Sequence, residues 1–137
     1  HEIVTVARRP DRTQFLVEIG VEVFQGDITD KNSMREAMHG VDGVFHEAPT
    51  YRTGASARER REAERINVEG TRNVLELMRD LKVKKGVYTS SLAVFSDTHG
   101  RVVKENYRYN GPWRTDNERM KWKARSTAVA RSAPAIG

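Results

Sequence analysis

Cysteine is absent from the 137 residues of this chain, and proline, tryptophan and histidine are scarce. Without thiols the chain forms no disulfide and holds no metal through thiolates, which fits a cytoplasmic protein. No apolar run approaches the roughly 20 residues that a membrane-spanning helix needs, so we expect no membrane partner. The four histidines have no ligand-like spacing, and no metal site is predicted.

Charge of one sign is also not concentrated anywhere in the chain. Lysine and arginine total 24 against 19 acidic residues, a net charge of +5. Bases alternate with acids at 58–62 (Arg-Glu-Arg-Arg-Glu), which is typical of a solvated helix face. We therefore predict no nucleic-acid partner, although a basic balance also suits small molecules that carry phosphate.

Short β-branched segments alternate with helical segments along the chain. Strands are predicted at 1–6, 21–24, 41–45 and 84–89. Four helices are predicted. The first follows Pro10 with Phe15, Leu16 and Ile19 inward, and the second follows Asp30 with Met34, Ala37 and Met38 inward. The third covers 57–81 and the fourth 114–130; the inward residues of the third are Ile66, Gly70, Val74, Leu77 and Met78. This alternation predicts one α/β domain over 1–137 with a parallel sheet.

Polar or small residues follow each predicted strand directly. They lie at 7–9, 26–27, 46–49 and 90–91. Because ligands of parallel sheets bind at the carboxyl ends of the strands, these positions predict one shared site. An arrangement in which Asp27, His46 and Ser91 point to opposite sides of the molecule would contradict it.

Four segments carry a family resemblance. They are Gly26-Asp27-Ile28-Thr29-Asp30, Gly43-Val44-Phe45-His46, Asn67-Val68-Glu69-Gly70-Thr71 and Thr89-Ser90-Ser91-Leu92-Ala93-Val94-Phe95. In this order they resemble the extended short-chain dehydrogenase/reductases, the NAD-dependent epimerase/dehydratase family. The resemblance implies a Rossmann-like doubly wound sheet, NAD or NADP as cofactor, and a small-molecule substrate with a hydroxyl or carbonyl group, such as a sugar nucleotide or a steroid. It also makes a homodimer possible.

The same resemblance assigns three catalytic positions. Ser91 matches the hydroxyl that hydrogen-bonds the substrate oxygen, although a serine after a strand also commonly caps backbone. Lys121 matches the lysine of a Tyr-x-x-x-Lys helix, with a surface lysine as the alternative. Asn117 stands in the tyrosine's place, and an amide is no general acid or base near neutral pH. Tyr107 and Tyr109 could replace that tyrosine only if the helix register shifted.

Cofactor contacts are implied at several strand ends. The resemblance places Asp27 against the adenine, and His46 as a mainly structural residue that lines the cofactor groove. Arg8 and Arg9 follow the first strand of this chain, where an arginine suits the 2′-phosphate of NADP, so NADP is favoured over NAD. The full predicted set is Arg8, Arg9, Asp27, Ile28, His46, Ala48, Asn67, Thr89 and Lys121.

The three-glycine turn with which this family binds pyrophosphate does not occur in the chain. We therefore expect an internal fragment of a longer enzyme, an incomplete doubly wound sheet that lacks the family's first strand and its C-terminal part. Strands at 2–6 and 41–45 should then either face a gap of about 9–10 Å or pair directly. We expect this chain by itself to be inactive. Two alternatives are a non-catalytic regulator that binds a nucleotide and a fragment without function.

Overall fold

The computed structural model describes residues 1–47, 56–104, 106, 107, 109, 111–113 and 115–132. Strands are β1 (Val4–Ala7), β2 (Glu22–Gln25), β3 (Gly43–His46) and β4 (Lys85–Tyr88). Helices are α1 (Gln14–Glu18), α2 (Ala57–Glu64), α3 (Gly70–Asp80) and α4 (Asp116–Ser132). Short 3-10 turns cover Pro10–Arg12, Asn32–Met34 and Leu92–Phe95. The predicted alternation of strands and helices is confirmed.

The strands form two parallel pairs. β1 pairs with β2, with Val4 opposite Glu22, and β3 pairs with β4, with Gly43 opposite Lys85. Within the described ranges β1 and β3 are not hydrogen-bonded to each other. Direct pairing of these two strands, one of the two expected arrangements, is therefore not found.

A single long helical segment supplies most of the core, and it is not uniform. α2 begins at a capping box in which Ser56 and Glu59 bond each other's backbone N–H groups. A π-helical turn, Arg65–Glu69, then joins α2 to α3. Such turns widen a helix locally and are frequent at functional sites. The predicted helix is confirmed, but its periodicity gave no sign of the π turn.

The hydrophobic core lies between α3 and the segment after β2. Its buried side chains are Met34, Met38, Val74, Leu77 and Met78, with Val6, Ile28, Val44, Leu75, Leu81 and Val83 packed around them. The predicted inward residues after Asp30 are thus buried, although the backbone there forms a 3-10 helix and turns. The stripe predicted on α1 was wrong, because Phe15 is 61% and Ile19 74% exposed. This five-residue helix is too short to bury a whole face.

Candidate functional site

The carboxyl ends of three strands meet near the junction of the π turn and α3. Ile28, which follows β2, packs on Gly70, where an added Cβ would lie 2.5 Å from the Ile28 Cδ1 atom. His46 at the end of β3 hydrogen-bonds the next residue, Thr71. The Thr89 N–H donates to the His46 carbonyl at 3.1 Å, so β4 ends beside β3. These strand ends therefore share one rim, built around one helix turn.

Close backbone approach at the end of β2 requires a glycine. A Cβ on Gly26 would lie 2.8 Å from the Val6 Cγ1 atom and 2.9 Å from the Ser33 carbonyl. No side chain fits at that separation. Gly26 therefore lets the chain turn directly beside β1, which fixes the position of Asp27.

Asp27 is held in a fixed orientation at this rim. Its Oδ1 atom accepts from the backbone N–H and the hydroxyl of Thr29, both at 2.8 Å. Partial burial raises the pKa of Asp27, but these hydrogen bonds and the positive charges of Arg8 and Arg65 outweigh it, so its pKa lies below the ordinary value. Asp27 is thus an ionised acceptor with one oxygen already used and two arginines nearby.

His46 is built into the fold through a buried chain of hydrogen bonds. The Thr71 hydroxyl donates to the Asn67 carbonyl at 2.6 Å, so it accepts from the Nε2–H of His46 at 2.9 Å. This assigns the Nε2–H tautomer to the neutral ring. Burial lowers the pKa of His46, which keeps the ring neutral near pH 7. The Nε2 atom of His46 is therefore used in a hydrogen bond within the fold.

This burial predicts a pH dependence of stability. The unfolded histidine binds a proton near pH 6.5, whereas the folded one does so only at lower pH. The contribution of His46 is therefore complete above about pH 6.5 and is lost as the pH falls, by at most about 1.4 kcal/mol per pH unit. We expect His46→Gln to reduce the loss of unfolding free energy between pH 7.5 and 5.5, measured in urea. His39→Gln, at an exposed position, should leave this loss of unfolding free energy unchanged. An equal loss in the unmodified protein and in both variants would contradict the role given to His46.

The residues after β4 are exposed. Ser91 begins the 3-10 turn Leu92–Phe95, and its Oγ accepts from the Ala93 N–H at 3.2 Å. That contact leaves the hydroxyl proton of Ser91 available for a ligand oxygen. Thr89 and Ser90 are exposed as well, two and one residues before it.

A second capping box sets the register of α4. The Glu118 N–H donates to the Thr115 hydroxyl at 3.2 Å, and the Thr115 N–H donates to the Glu118 carboxylate at 3.3 Å. Helix α4 therefore starts at Asp116 and contains both Asn117 and Lys121. Four residues apart, these two positions lie one turn apart on the same side of the helix.

Lys121 is a buried cation. It is 7% exposed, and it makes no ion pair or hydrogen bond within the described part of the chain. Burial lowers its pKa. The adjacent Met120 accepts a hydrogen bond through its sulfur from the Asn67 side chain at 3.1 Å. Asn67, 2% exposed, thereby connects the π turn to the helix that carries Lys121.

The two upstream tyrosines are engaged elsewhere. The Tyr107 hydroxyl donates to the Asp97 carbonyl at 3.2 Å, and the Tyr109 hydroxyl donates to the Pro112 carbonyl. Both phenols thus hold the loop before α4. The capping box at Thr115 also leaves no shifted register in which either would take the place of Asn117.

Some predicted residues are not brought to the rim, and others were missed. Arg9 turns to Asp11, with 3.4 Å between Nη2 and Oδ2, and Ala48 lies outside the described residues. Sequence reasoning missed the effect of the Arg65 charge on Asp27 and both capping boxes. The Ser-x-x-Glu and Thr-x-x-Glu patterns at 56–59 and 115–118 were the available signal for the caps. Arg65 gave no such signal, because it comes from a distant part of the chain.

Comparison with known proteins identifies the family and the fold. Residues 3–132 match the model of the 3-beta hydroxysteroid dehydrogenase/isomerase family. Short-chain dehydrogenase/reductase family 42E member 1 of Xenopus laevis is 34% identical over 69% of this chain. A 3 beta-hydroxysteroid dehydrogenase/Delta 5-->4-isomerase of Mycobacterium tuberculosis is 40% identical over 54% of it. The Bordetella bronchiseptica enzyme WbmG, crystallised with NAD and UDP, superposes on 98% of the chain with a TM-score of 0.79 at 18% identity. The predicted Rossmann-like fold and the predicted family resemblance are both confirmed.

The chain is short relative to these proteins. It spans 24% of the Xenopus protein, 21% of the mycobacterial one and 43% of WbmG. Among the residues that the structure describes, no helix has the length and apolar character needed to cross a bilayer.

Proposed function

The chain belongs to the 3-beta hydroxysteroid dehydrogenase/isomerase family. We propose that it forms part of an NAD(P)-dependent oxidoreductase. The substrate is a small molecule with a hydroxyl or carbonyl group, such as a steroid or a sugar nucleotide. The names of the steroid dehydrogenase and of the NAD- and UDP-bound relative support this choice. The rim at the strand ends is the binding site for the dinucleotide.

The residues at the rim fit such a cofactor. Asp27 offers an ionised oxygen to an adenosine group, and Arg8 supplies a positive charge close to it. Lys121 is an ammonium group for which the described chain provides no partner, so ribose hydroxyls would satisfy its three donors. When bound, the dinucleotide supplies or accepts the hydride.

The residues around Lys121 have distinct roles in this proposal. Ser91 donates its free hydroxyl proton to the substrate oxygen and orients it. Lys121 binds the ribose and provides a positive charge at the reacting end. Asn67 positions α4 through Met120. The amide of Asn117 is no acid or base near neutral pH, so the proton that accompanies the hydride would be exchanged with another group, such as water.

The burial of Lys121 is the observation that carries the proposal. An unpaired ammonium group costs free energy in a protein interior and is usually neutralised or paired. A fold retains such a group where a ligand completes it. Strongly buried and unpaired cations are therefore candidates for functional residues.

A non-catalytic nucleotide-binding regulator is the second candidate. Asn117 favours it, because the position that needs a tyrosine for proton transfer carries an amide. A regulator would bind the same dinucleotide and transfer no hydride to any alcohol or ketone. Turnover therefore separates the two candidates, whereas binding does not.

Tryptophan fluorescence tests the binding that both candidates share. Trp122 directly follows Lys121, and its ring lies 5.8 Å from that of Trp113. We expect NADPH or NADP to change this emission saturably, with a dissociation constant between about 1 μM and 1 mM. Guanosine triphosphate, with a different base and no nicotinamide, serves as the control. Absence of a saturable response to every nicotinamide dinucleotide would refute the proposed function.

A further inference from the structure

Ser96 has a backbone conformation that serine rarely adopts. Its φ of 49° and ψ of −132° lie in a region where a Cβ atom is crowded and which glycine populates far more readily. A serine there costs free energy that a glycine would not cost. Such strain persists only where the surrounding structure imposes it, and it is concentrated at functional sites. A serine at such a position therefore indicates a contribution from its side chain.

The Ser96 hydroxyl bonds directly to helix α4. It donates to the Glu118 carboxylate at 3.0 Å. The same oxygen atom, Oε2 of Glu118, accepts from the Thr115 N–H in the capping box that begins α4. Because the acceptor is a carboxylate, this hydrogen bond is stronger than one between two neutral groups. Ser96 thereby connects the segment after β4 to the first turn of α4.

Ser96 also ends the short turn that begins at Ser91. Inside this turn the Val94 N–H donates to the Ser91 carbonyl at 3.2 Å, and the Ser96 N–H donates to the Ala93 carbonyl at 3.3 Å. Val94 is buried, with 4% exposure, which anchors the middle of the turn. The first and last residues of the turn are therefore linked through successive hydrogen bonds, and a displacement of Ser96 is passed on to Ser91.

The turn 91–96 contacts α4 on both sides of Lys121. The hydrogen bond from Ser96 reaches Glu118, three residues before Lys121. The Arg125 guanidinium, four residues after Lys121, lies over the Phe95 ring at 5.6 Å from its centroid. Residues three and four apart share one side of a helix, so Lys121 lies between these two contacts. The turn is therefore held beside the buried cation.

We propose that Ser96 is a positioning residue, which holds the turn 91–96 against α4 and so keeps the Ser91 hydroxyl beside the Lys121 ammonium group. The inference rests on the proposed function for the roles of Ser91 and Lys121, but not for their positions. Ser96 does not contact the substrate or the cofactor in this proposal and acts only through Ser91. Its strained backbone is accepted because a serine at this point of the chain reaches Glu118, which a glycine would not do.

A single thiol introduced by Ser91→Cys tests this arrangement, because the chain has no cysteine of its own. A nearby ammonium group lowers the pKa of a thiol below its ordinary value of about 8.5. We expect the Ser91→Cys thiol to titrate at least about half a pKa unit below that value. The measurement is the pH dependence of its rate of alkylation by iodoacetamide. Adding Lys121→Met should return the thiol pKa to about 8.5.

Two substitutions of Ser96 in the Ser91→Cys protein test the positioning role. Ser96→Gly and Ser96→Ala both remove the hydroxyl, so both should raise the thiol pKa by at least about a quarter of a unit. Glycine relieves the strained backbone and alanine keeps it, so Ser96→Gly should unfold at a higher urea concentration than Ser96→Ala. A residue with a purely structural role would change stability without changing the thiol pKa.

His99→Gly is the matched control. His99 also has a positive φ, of 51°, and lies exposed three residues further along the same loop. Its replacement by glycine relieves the backbone in the same way but leaves the contacts between the turn 91–96 and α4 in place. An exposed imidazole is also neutral in the pH range in which the thiol titrates. The thiol pKa should therefore change by less than about 0.2.

The thiol titration needs no cofactor, so its outcome is separate from that of the proposed function. If Ser96→Gly leaves the thiol pKa unchanged, or His99→Gly raises it equally, the positioning role is overturned. An ordinary thiol pKa that Lys121→Met does not alter overturns it as well, because residue 91 would then not lie beside Lys121. If the thiol behaves as expected but no nicotinamide dinucleotide binds, the proposed function is overturned and the positioning of Ser91 stands.

Discussion

An Asn117→Tyr variant is expected to turn over a hydroxyl or carbonyl substrate at least about a hundredfold faster than the protein itself. The reason is the position of residue 117 one helical turn before Lys121. A tyrosine there would lie beside a buried ammonium group, which lowers the phenol's pKa. The phenol then exchanges a proton near neutral pH, which the asparagine amide does not do.

The measurement is the initial rate of NADPH oxidation with a ketone substrate, or of NADP reduction with the alcohol. Asn117→Phe is the matched control, since it adds the ring without the hydroxyl and should bring no gain. The rate of the tyrosine variant should also depend on pH, with an apparent pKa below the ordinary 10 of tyrosine. Equal rates for the protein, the tyrosine variant and the phenylalanine variant would show that residue 117 does not face the reacting atoms.

Replacing Lys121 by methionine is expected to have opposite effects on stability and function. Methionine fills a similar volume without charge, so the variant should gain about 1–3 kcal/mol in free energy of unfolding near pH 7. The same change removes the ammonium group proposed to hold the ribose. Affinity for the dinucleotide should therefore fall by about tenfold or more. Chemical denaturation and the fluorescence titration measure the two effects.

The stability gain should itself depend on pH. Burial lowers the pKa of Lys121 in the folded state, so the unfolded chain binds its proton more readily. The protein is therefore penalised while Lys121 is protonated in the fold, and the penalty disappears as the pH rises toward 10.5. The advantage of Lys121→Met should shrink over that interval.

Lys123→Met is the control for this prediction. Lys123 lies two residues further on α4, is 39% exposed and is paired with Glu64. Its replacement should lower stability slightly, by less than about 1 kcal/mol, and leave dinucleotide binding intact. A stability loss in Lys121→Met as large as that of a core truncation would mean that Lys121 has a structural partner.

The fold class was predicted from local sequence patterns, and several of these patterns agree with the structure. Periodicity placed Val74, Leu77 and Met78 inward on one helix, and all three are buried. Glycine marked chain reversals after α1 and before β3, and Gly20 and Gly40 both have positive φ. Prediction failed on α1, where the apolar stripe of Phe15 and Ile19 is exposed. Periodicity reports a preference for burial but not the presence of a partner surface.

The candidate site was predicted only in its separate parts. Asp27, His46 and Ser91 were each identified as residues that follow a strand, and their roles as ligands stay predictions. The ends of β2 and β3 come together at the start of α3, directly after the π turn, where Ile28 contacts Gly70 and His46 contacts Thr71. A helix with one extra residue in a turn has no distinct sequence signature, so this junction was not foreseen.

The amino-acid order by itself determined the alternation of strands and helices, the family, and the presence of an amide at residue 117. The alternation follows from short-range spacing, which every segment carries alone, and the family follows from the resemblance of four short segments. Tertiary structure alone decided that Lys121 is buried with no partner among the described residues, and that the charge of Arg65 acts on Asp27. Burial and proximity of charges depend on how distant segments pack together, and no local pattern records that packing.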